Sequence, residues 1–265
     1  MYAPNPTNTS SRFVVTNPIR SPANRDPVAM LILYDIDMTL LETDHIGITL
    51  LENAGRELFH PGFTAKGISF GGSLDPVIIT QMLVNNKVDS TPDNISALRR
   101  HYHAGLDRTA SERPVARALA GAHELVDATR THAGIDAIGV LTGNYPETGT
   151  IKLRSAGFDP DHFVINAWGD ASPHAEPLRS HLPPVAIENY QSAKSRTIDP
   201  EQVVIIGDTV HDVRCALDND CRALAVATGH ATRQELEEAG AHLVVDDLTR
   251  TQELLDWIMT TPAHR

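Results

Sequence analysis

The hydrophobic pattern between residues 31 and 259 switches repeatedly between two kinds of segment. Short, continuous apolar runs occur at "LILYD" (31–35), "AIGVLTG" (137–143), "HFVIN" (162–166), "VVIIGD" (203–208), "RALAVATG" (222–229) and "HLVVDD" (242–247). The later runs are separated by stretches of helical period over 147–156, 176–194, 211–219, 232–240 and 249–259. Strands apolar on both faces, alternating with helices, predict an α/β fold: a parallel sheet with helices on both faces. Such sheets bind ligands beyond the carboxyl ends of their strands.

The gap between the first two runs is too long for one crossover. Residues 43–136 hold room for four helices, at 44–59, 75–86, 92–110 and 115–132. Two of them open on Asp75-Pro76 and Thr91-Pro92, a capping side chain followed by a first-turn proline. Between the first and second lies the glycine-rich loop "HPGFTAKGISFGGSLD" (60–75). The expectation is an α-helical cap over 43–136, inserted into a core formed by 30–42 plus 137–265. Residues 1–29, rich in Pro, Asn, Ser and Thr and without a sustained period, read as a flexible N-terminal extension.

Composition narrows the partners. Hydrophobic residues make up 41% of the 265, enough for a sizeable core. The formal charge of −12 argues against nucleic acid and anionic membrane surfaces. That charge is uneven: residues 43–133 carry nine basic and ten acidic side chains, so the expected cap is nearly neutral. No apolar run approaches the ~20 residues that span a bilayer, and the first thirty residues lack a secretory signal, so a cytoplasmic location is expected. Cys215 and Cys221 cannot build a disulfide framework and read as small buried side chains.

The polar residues collect where the strands end. Asp35 and Asp37 follow four apolar residues, and Asp208 and Asp212 in "GDTVHD" follow another strand, four apart on one helix face. An aspartate after a strand often serves only as a helix cap. Four carboxylates at one sheet edge, however, would repel one another unless a cation intervened, and oxygen ligands favour Mg²⁺. Thr142, Gly143 and Asn144 offer a hydroxyl, backbone amides and a carboxamide suited to phosphate oxygens, although "TGN" can also be a plain turn. Lys152 on the next helix can add a fixed positive charge or simply face solvent.

Taken in order, DxDxT (Asp35, Asp37, Thr39), a strand ending in Thr142, a lysine, and GDxxxD (Asp208, Asp212) resemble the motifs of the haloacid dehalogenase (HAD) superfamily. The resemblance runs from residue 31 to about 258. The phosphoglycolate phosphatase-like branch, with its C1 cap after DxDxT, is the nearest pattern. It implies a HAD-like Rossmannoid sheet and a Mg²⁺-dependent phosphomonoester hydrolase of a small phosphorylated metabolite, phosphoglycolate at family level. In that scheme Asp35 is the nucleophile and Asp37 the general acid and base. The metal would take the Asp35 carboxylate, the Asp37 backbone carbonyl and Asp208, with Asp212 in or beside its shell. Thr142, Gly143, Asn144 and Lys152 would hold the phosphoryl oxygens, with Thr39 supporting the loop that aims Asp37. Lys194 is the alternative lysine and Arg179 a further cation. Lys66, Ser69 and Ser73 are polar candidates in the cap loop. A haloacid dehalogenase, a phosphomutase or a non-catalytic binding module on the same fold are the alternatives, and the oligomeric state is left open.

Overall fold

The computed structural model describes residues 29–260. The expected extension lies outside them except for residue 29. Among the described residues β1 (Met30–Tyr34) and β2 (Leu41–Glu42) come first, followed by α1 (Ile46–Leu58), α2 (Asp75–Asn85), α3 (Pro92–Glu112) and β3 (Arg117–Ala118). Then come α4 (Ala122–Thr131), β4 (Ile135–Val140), α5 (Pro146–Ser155), α6 (Leu182–Lys194), β5 (Val203–Gly207) and α7 (Val210–Leu217). The chain continues through β6 (Arg222–Val226), α8 (Arg233–Glu238), β7 (Leu243–Val245) and α9 (Thr251–Met259).

Five strands form a parallel sheet in the order β4-β1-β5-β6-β7. β1 and β5 are apolar throughout because each face meets a layer of helices. Along β1, Met30, Ile32 and Tyr34 enter one apolar cluster with residues of α4, α5 and α9. Leu31 and Leu33 enter the other, with residues of α6, α7 and α8. This is the two-residue alternation of a strand buried on both sides. Since the sheet is parallel, β1, β4 and β5 all deliver their following residues to one edge.

"HFVIN" departs from the expected strand. It runs beside β4, with Phe163 and Ile165 buried and the Val164 amide donating to the Ile138 carbonyl at 3.0 Å, but the strand-type bridge, Leu141 to Ala167, lies just beyond it. The Val140 amide donates to the Asn166 side-chain oxygen (3.0 Å) instead of to a backbone carbonyl, which interrupts the ladder. Gly139 permits the approach, since a Cβ there would lie 1.5 Å from the Ile165 carbonyl oxygen.

The segment expected as cap divides in two. Helices α1, α2 and α3 share an apolar cluster that includes Leu51, Ile78, Met82, Leu98 and Leu106. The fourth helix, α4, instead sends Ala122, Leu125 and Val126 into the sheet cluster, and Thr129 meets the hydroxyl of Tyr34 at 2.8 Å. The boundary expected at 136 therefore falls too late. The helical insertion lies between β2 and β3, which pair antiparallel through Leu41–Ala118 and Glu42–Arg117. Both cysteines are buried and unpaired. Among the described residues no helix is long and apolar enough to cross a membrane.

Two contacts dock the helical insertion on the sheet layer. Arg99 of α3 makes a bidentate pair with Glu147 of α5 (2.6 and 2.8 Å), reaches Asp170 (3.0 Å) and lies over the Tyr145 ring. Asp75, at the start of α2, accepts from the Tyr145 amide at 3.0 Å, and its own amide donates to the Gly143 carbonyl at 2.8 Å. A Cβ on Gly143 would sit 2.1 Å from the Ser73 carbonyl oxygen, so this close approach needs glycine.

Candidate active site

The site is built from the ends of three strands. β1 ends one residue before Asp35, whose amide donates to the Ile206 carbonyl of β5 at 2.8 Å. The chain then folds back in a tight loop, with the amides of Thr39, Leu40 and Leu41 all directed at the Ile36 carbonyl. Met38, at φ 60°, occupies the left-handed region in that loop. The Thr39 hydroxyl donates to Asp208 across the cleft at 3.4 Å. At the end of β5, Thr209 caps α7: its hydroxyl accepts from the Asp212 amide, and Asp212 Oδ2 accepts from the Thr209 amide and hydroxyl (3.0 and 2.6 Å). That reciprocal cap fixes Asp212 at the sheet edge.

Asp35, Asp208 and Asp212 are all buried, with ligand oxygens lying within 4.8 Å of one another. A fourth buried side chain answers them. Arg179 places Nη2 at 3.0 Å from Asp35 Oδ1 and 2.6 Å from Asp212 Oδ1. The second contact is close but poorly aligned, because Asp212 Oδ1 has no hydrogen-bond donor of good geometry. Burial pushes the Asp35 carboxyl up to about 6, with Arg179 opposing and Asp212 and Asp37 adding to the rise. Burial likewise raises Asp208, helped by Asp212 and Asp35. The three carboxylates thus hold more negative charge than one arginine compensates. All their free donors are hard oxygens, so the set fits a divalent cation such as Mg²⁺.

Asp37 stands apart. Its side chain is 37% exposed and faces the cleft. Lys152 Nζ donates to both its oxygens (2.9 and 2.8 Å) and to Asn144 Oδ1 (2.6 Å). Asn144 Nδ2 donates to Asp37 Oδ2 (2.7 Å) and to the Thr142 hydroxyl (2.9 Å). Burial alone would lower the pKa of Lys152, yet Asp37 and Asp75 more than offset it, so the ammonium is held well above its ordinary value. The side chain of Asp37 is not one of the three clustered carboxylates.

The sequence candidates therefore separate. Asp35, Asp208 and Asp212 converge, as do Asp37, Thr142, Asn144 and Lys152, and Gly143 lies between the strand end and the cap loop. Lys194 is elsewhere, donating to the Asp136 carbonyl (2.9 Å) near the opposite end of β4. Of the cap-loop candidates, Ser73 lines the cleft, along with Phe70, Gly71 and Gly72, whereas Lys66 and Ser69 do not. His211 touches the cap loop: a Cβ on Gly72 would lie 2.6 Å from it. Arg179, ranked only as an accessory cation on sequence, is the buried partner of two of the aspartates. It sits in a short 3-10 turn (Arg179–His181) with no periodic context. Its one legible signal is an isolated arginine just ahead of an apolar helix, in a chain whose acidic cluster lacks a cation.

The sheet with its helical insertion has a HAD-like α/β architecture. A family model described as HAD-hydrolase-like matches residues 183–251, from α6 to the first residue of α9. A phosphoglycolate phosphatase from Chromobacterium violaceum is 28% identical over 141 residues, spanning 49% of this chain and 59% of that protein. The crystal structure of CbbY from Rhodobacter sphaeroides in complex with phosphate superposes with a TM-score of 0.64 at 22% identity, covering 83% of this chain and 95% of that one. β-Phosphoglucomutase from Clostridium difficile superposes with a TM-score of 0.63 at 13% identity, covering 87% of this chain and 97% of that one. The chain is thus similar to a HAD-hydrolase-like domain over 183–251 and to a phosphoglycolate phosphatase over about half its length, and it shares the fold of the two solved structures.

Proposed function

We propose that this chain is a Mg²⁺-dependent phosphomonoester hydrolase acting on a small phosphorylated metabolite through an aspartyl-phosphate on Asp35. The observation that carries the proposal is the separation of two nearby aspartates into unlike surroundings. Asp35 is buried beside a cation and two further carboxylates. Asp37, two residues on, opens to the cleft and is held by Lys152 and Asn144. Such a division is how one site runs nucleophilic and acid–base chemistry on two like groups.

In this scheme Asp35 Oδ attacks phosphorus, and Asp37 gives a proton to the departing alcohol oxygen and later takes one from the attacking water. Arg179, the Thr142 hydroxyl and the amides around Gly143 face the charge spread over the phosphoryl oxygens. Lys152 and Asn144 aim Asp37. Asp35, Asp208, Asp212 and the backbone carbonyl of Asp37 would hold Mg²⁺, which supplies Lewis-acid neutralisation of phosphoryl charge. A haloacid dehalogenase would use the same nucleophile, but halide departure needs no proton and leaves the Lys152–Asp37 pair without a task. A phosphomutase shares every motif and differs in returning the phosphoryl group to substrate.

The test is release of inorganic phosphate from a metabolite panel with and without EDTA. Asp35→Asn is expected to remove turnover by about 10³-fold or more while leaving the circular dichroism spectrum and cooperative unfolding intact. Asp37→Asn should cripple alkyl esters far more than p-nitrophenyl phosphate, whose leaving group needs little protonation. Turnover of Asp35→Asn within about tenfold of the parent, or full activity in EDTA, would overturn the proposal. A phosphorylated product isomer without phosphate release would indicate a mutase.

A further inference from the structure

We propose that the alcohol released by this enzyme is uncharged and has an apolar or aromatic face, and that the substrate carries no second anion such as a carboxylate or another phosphate. The inference rests on the hydrolase assignment above and specifies its substrate class. It follows from the unlike ends of one cleft of about 400 Å³, lying between the strand ends and the helical insertion.

The sheet end is polar and suited to one phosphoryl group. Its two buried cations are already engaged, Lys152 with both oxygens of Asp37 and Arg179 with Asp35 and Asp212. The cap end is different. Ile48 and Leu51 of α1, Phe70 of the loop, Ile78 of α2 and Tyr102 of α3 form its wall. Four are hydrocarbon or phenyl surface, and Tyr102 adds one hydroxyl, held protonated because burial raises its pKa. The formal charges at that end are acidic: Glu42 and Asp44 at the mouth and Asp75 at the foot of α2. Arg117 answers Glu42 at 3.0 Å and reaches Asp44 at 3.9 Å from outside the lining, so Asp75 is the acid there without that partner. Among the described lining residues no lysine or arginine comes from the cap; His45, beside Asp44, is its one basic side chain.

A carboxylate or second phosphate entering this end would leave water for hydrocarbon and acidic neighbours with no committed partner, which disfavours binding. A methylene chain or aryl ring would gain from the same wall. Selectivity of this kind discriminates strongly against a group left unpaired. The near-neutral charge of the cap therefore offers no clamp for a doubly anionic substrate.

The experiment compares kcat/KM for benzyl phosphate, ethylene glycol monophosphate and 2-phosphoglycolate, three primary-alkyl esters that differ mainly in the group facing the cap. Benzyl phosphate is expected to exceed 2-phosphoglycolate by about tenfold or more, chiefly through KM, with the glycol ester between. Ile48→Arg should narrow or invert that order by raising 2-phosphoglycolate and lowering benzyl phosphate. Phe70→Lys, in the loop, is a second variant for the same reversal, and circular dichroism checks that each folds. Equal values for the three esters, or a preference for 2-phosphoglycolate in the parent, would overturn this inference while leaving the hydrolase assignment intact. Failure to release phosphate from any ester in the presence of Mg²⁺ would overturn both.

Discussion

Asp35 and Asp37 show how two identical side chains acquire different chemistry from their neighbours. Asp35 is buried in the cleft floor beside Arg179, and Asp37 is gripped from one side by an ammonium and a carboxamide. This arrangement gives Lys152 a test that separates two roles. If Lys152 acts by aiming Asp37, Lys152→Met should lower kcat for alkyl esters by about 10²-fold and for p-nitrophenyl phosphate by less than about tenfold. If it acts by neutralising the phosphoryl group directly, both losses will be equal. Steady-state kinetics on the two ester types decides between them. The aspartates were legible because a carboxylate at the end of an apolar run is costly unless something uses it. Arg179 was not, because its partners lie 144 and 33 positions away in sequence and only the folded sheet edge brings them together.

At the level of elements, Thr91-Pro92 marked the capped start of α3, whereas Asp75, read as a cap, lies within the first turn of α2 with its side chain on the Tyr145 amide; continuous apolar runs identified the central strands. The same reasoning made a strand of "HFVIN", where the Asn166 side chain takes the place of a backbone acceptor. It also assigned α4 to the cap, because an amphipathic helix does not announce which layer its apolar face will meet. The junction of α2 with the sheet carries its own prediction. Asp75, partly buried there, is pushed up to about 6 chiefly by burial, with Lys152 and the Tyr145 amide opposing. A carboxyl with a raised folded-state pKa binds its proton more firmly in the folded chain. Its contribution to stability is therefore full below its unfolded value near 4, and it is lost as pH rises through about 6. Asp35 and Asp208 shift in the same direction, so the parent alone cannot isolate Asp75. Chemical denaturation of the parent and Asp75→Asn between pH 4 and 7 is expected to show a smaller decline in stability for the variant. Parallel curves would mean that Asp75 titrates normally.

For the molecule as a whole, the excess of helices between the first two strands revealed an insertion, and its near-neutral charge set it apart from an acidic remainder. What that neutrality does became visible only with the cleft, whose cap wall is mainly apolar. The two strands that frame the insertion have a wider consequence. β2 and β3 pair antiparallel, so the chain leaves and re-enters the sheet layer with Leu41 and Ala118 side by side, about 5 Å apart. To the rest of the protein the whole insertion is thus no more demanding than a hairpin loop. Replacing residues 46–112 by a short turn is expected to leave a sheet layer that still unfolds cooperatively, with its strand content intact by circular dichroism; loss of cooperative unfolding would show that the two parts fold only together. Substrate choice and bond-breaking chemistry can then be inherited separately. A lineage could exchange one cap for another in a single genetic event, provided the newcomer brings adjacent ends and an acidic first turn to meet the amide of Tyr145.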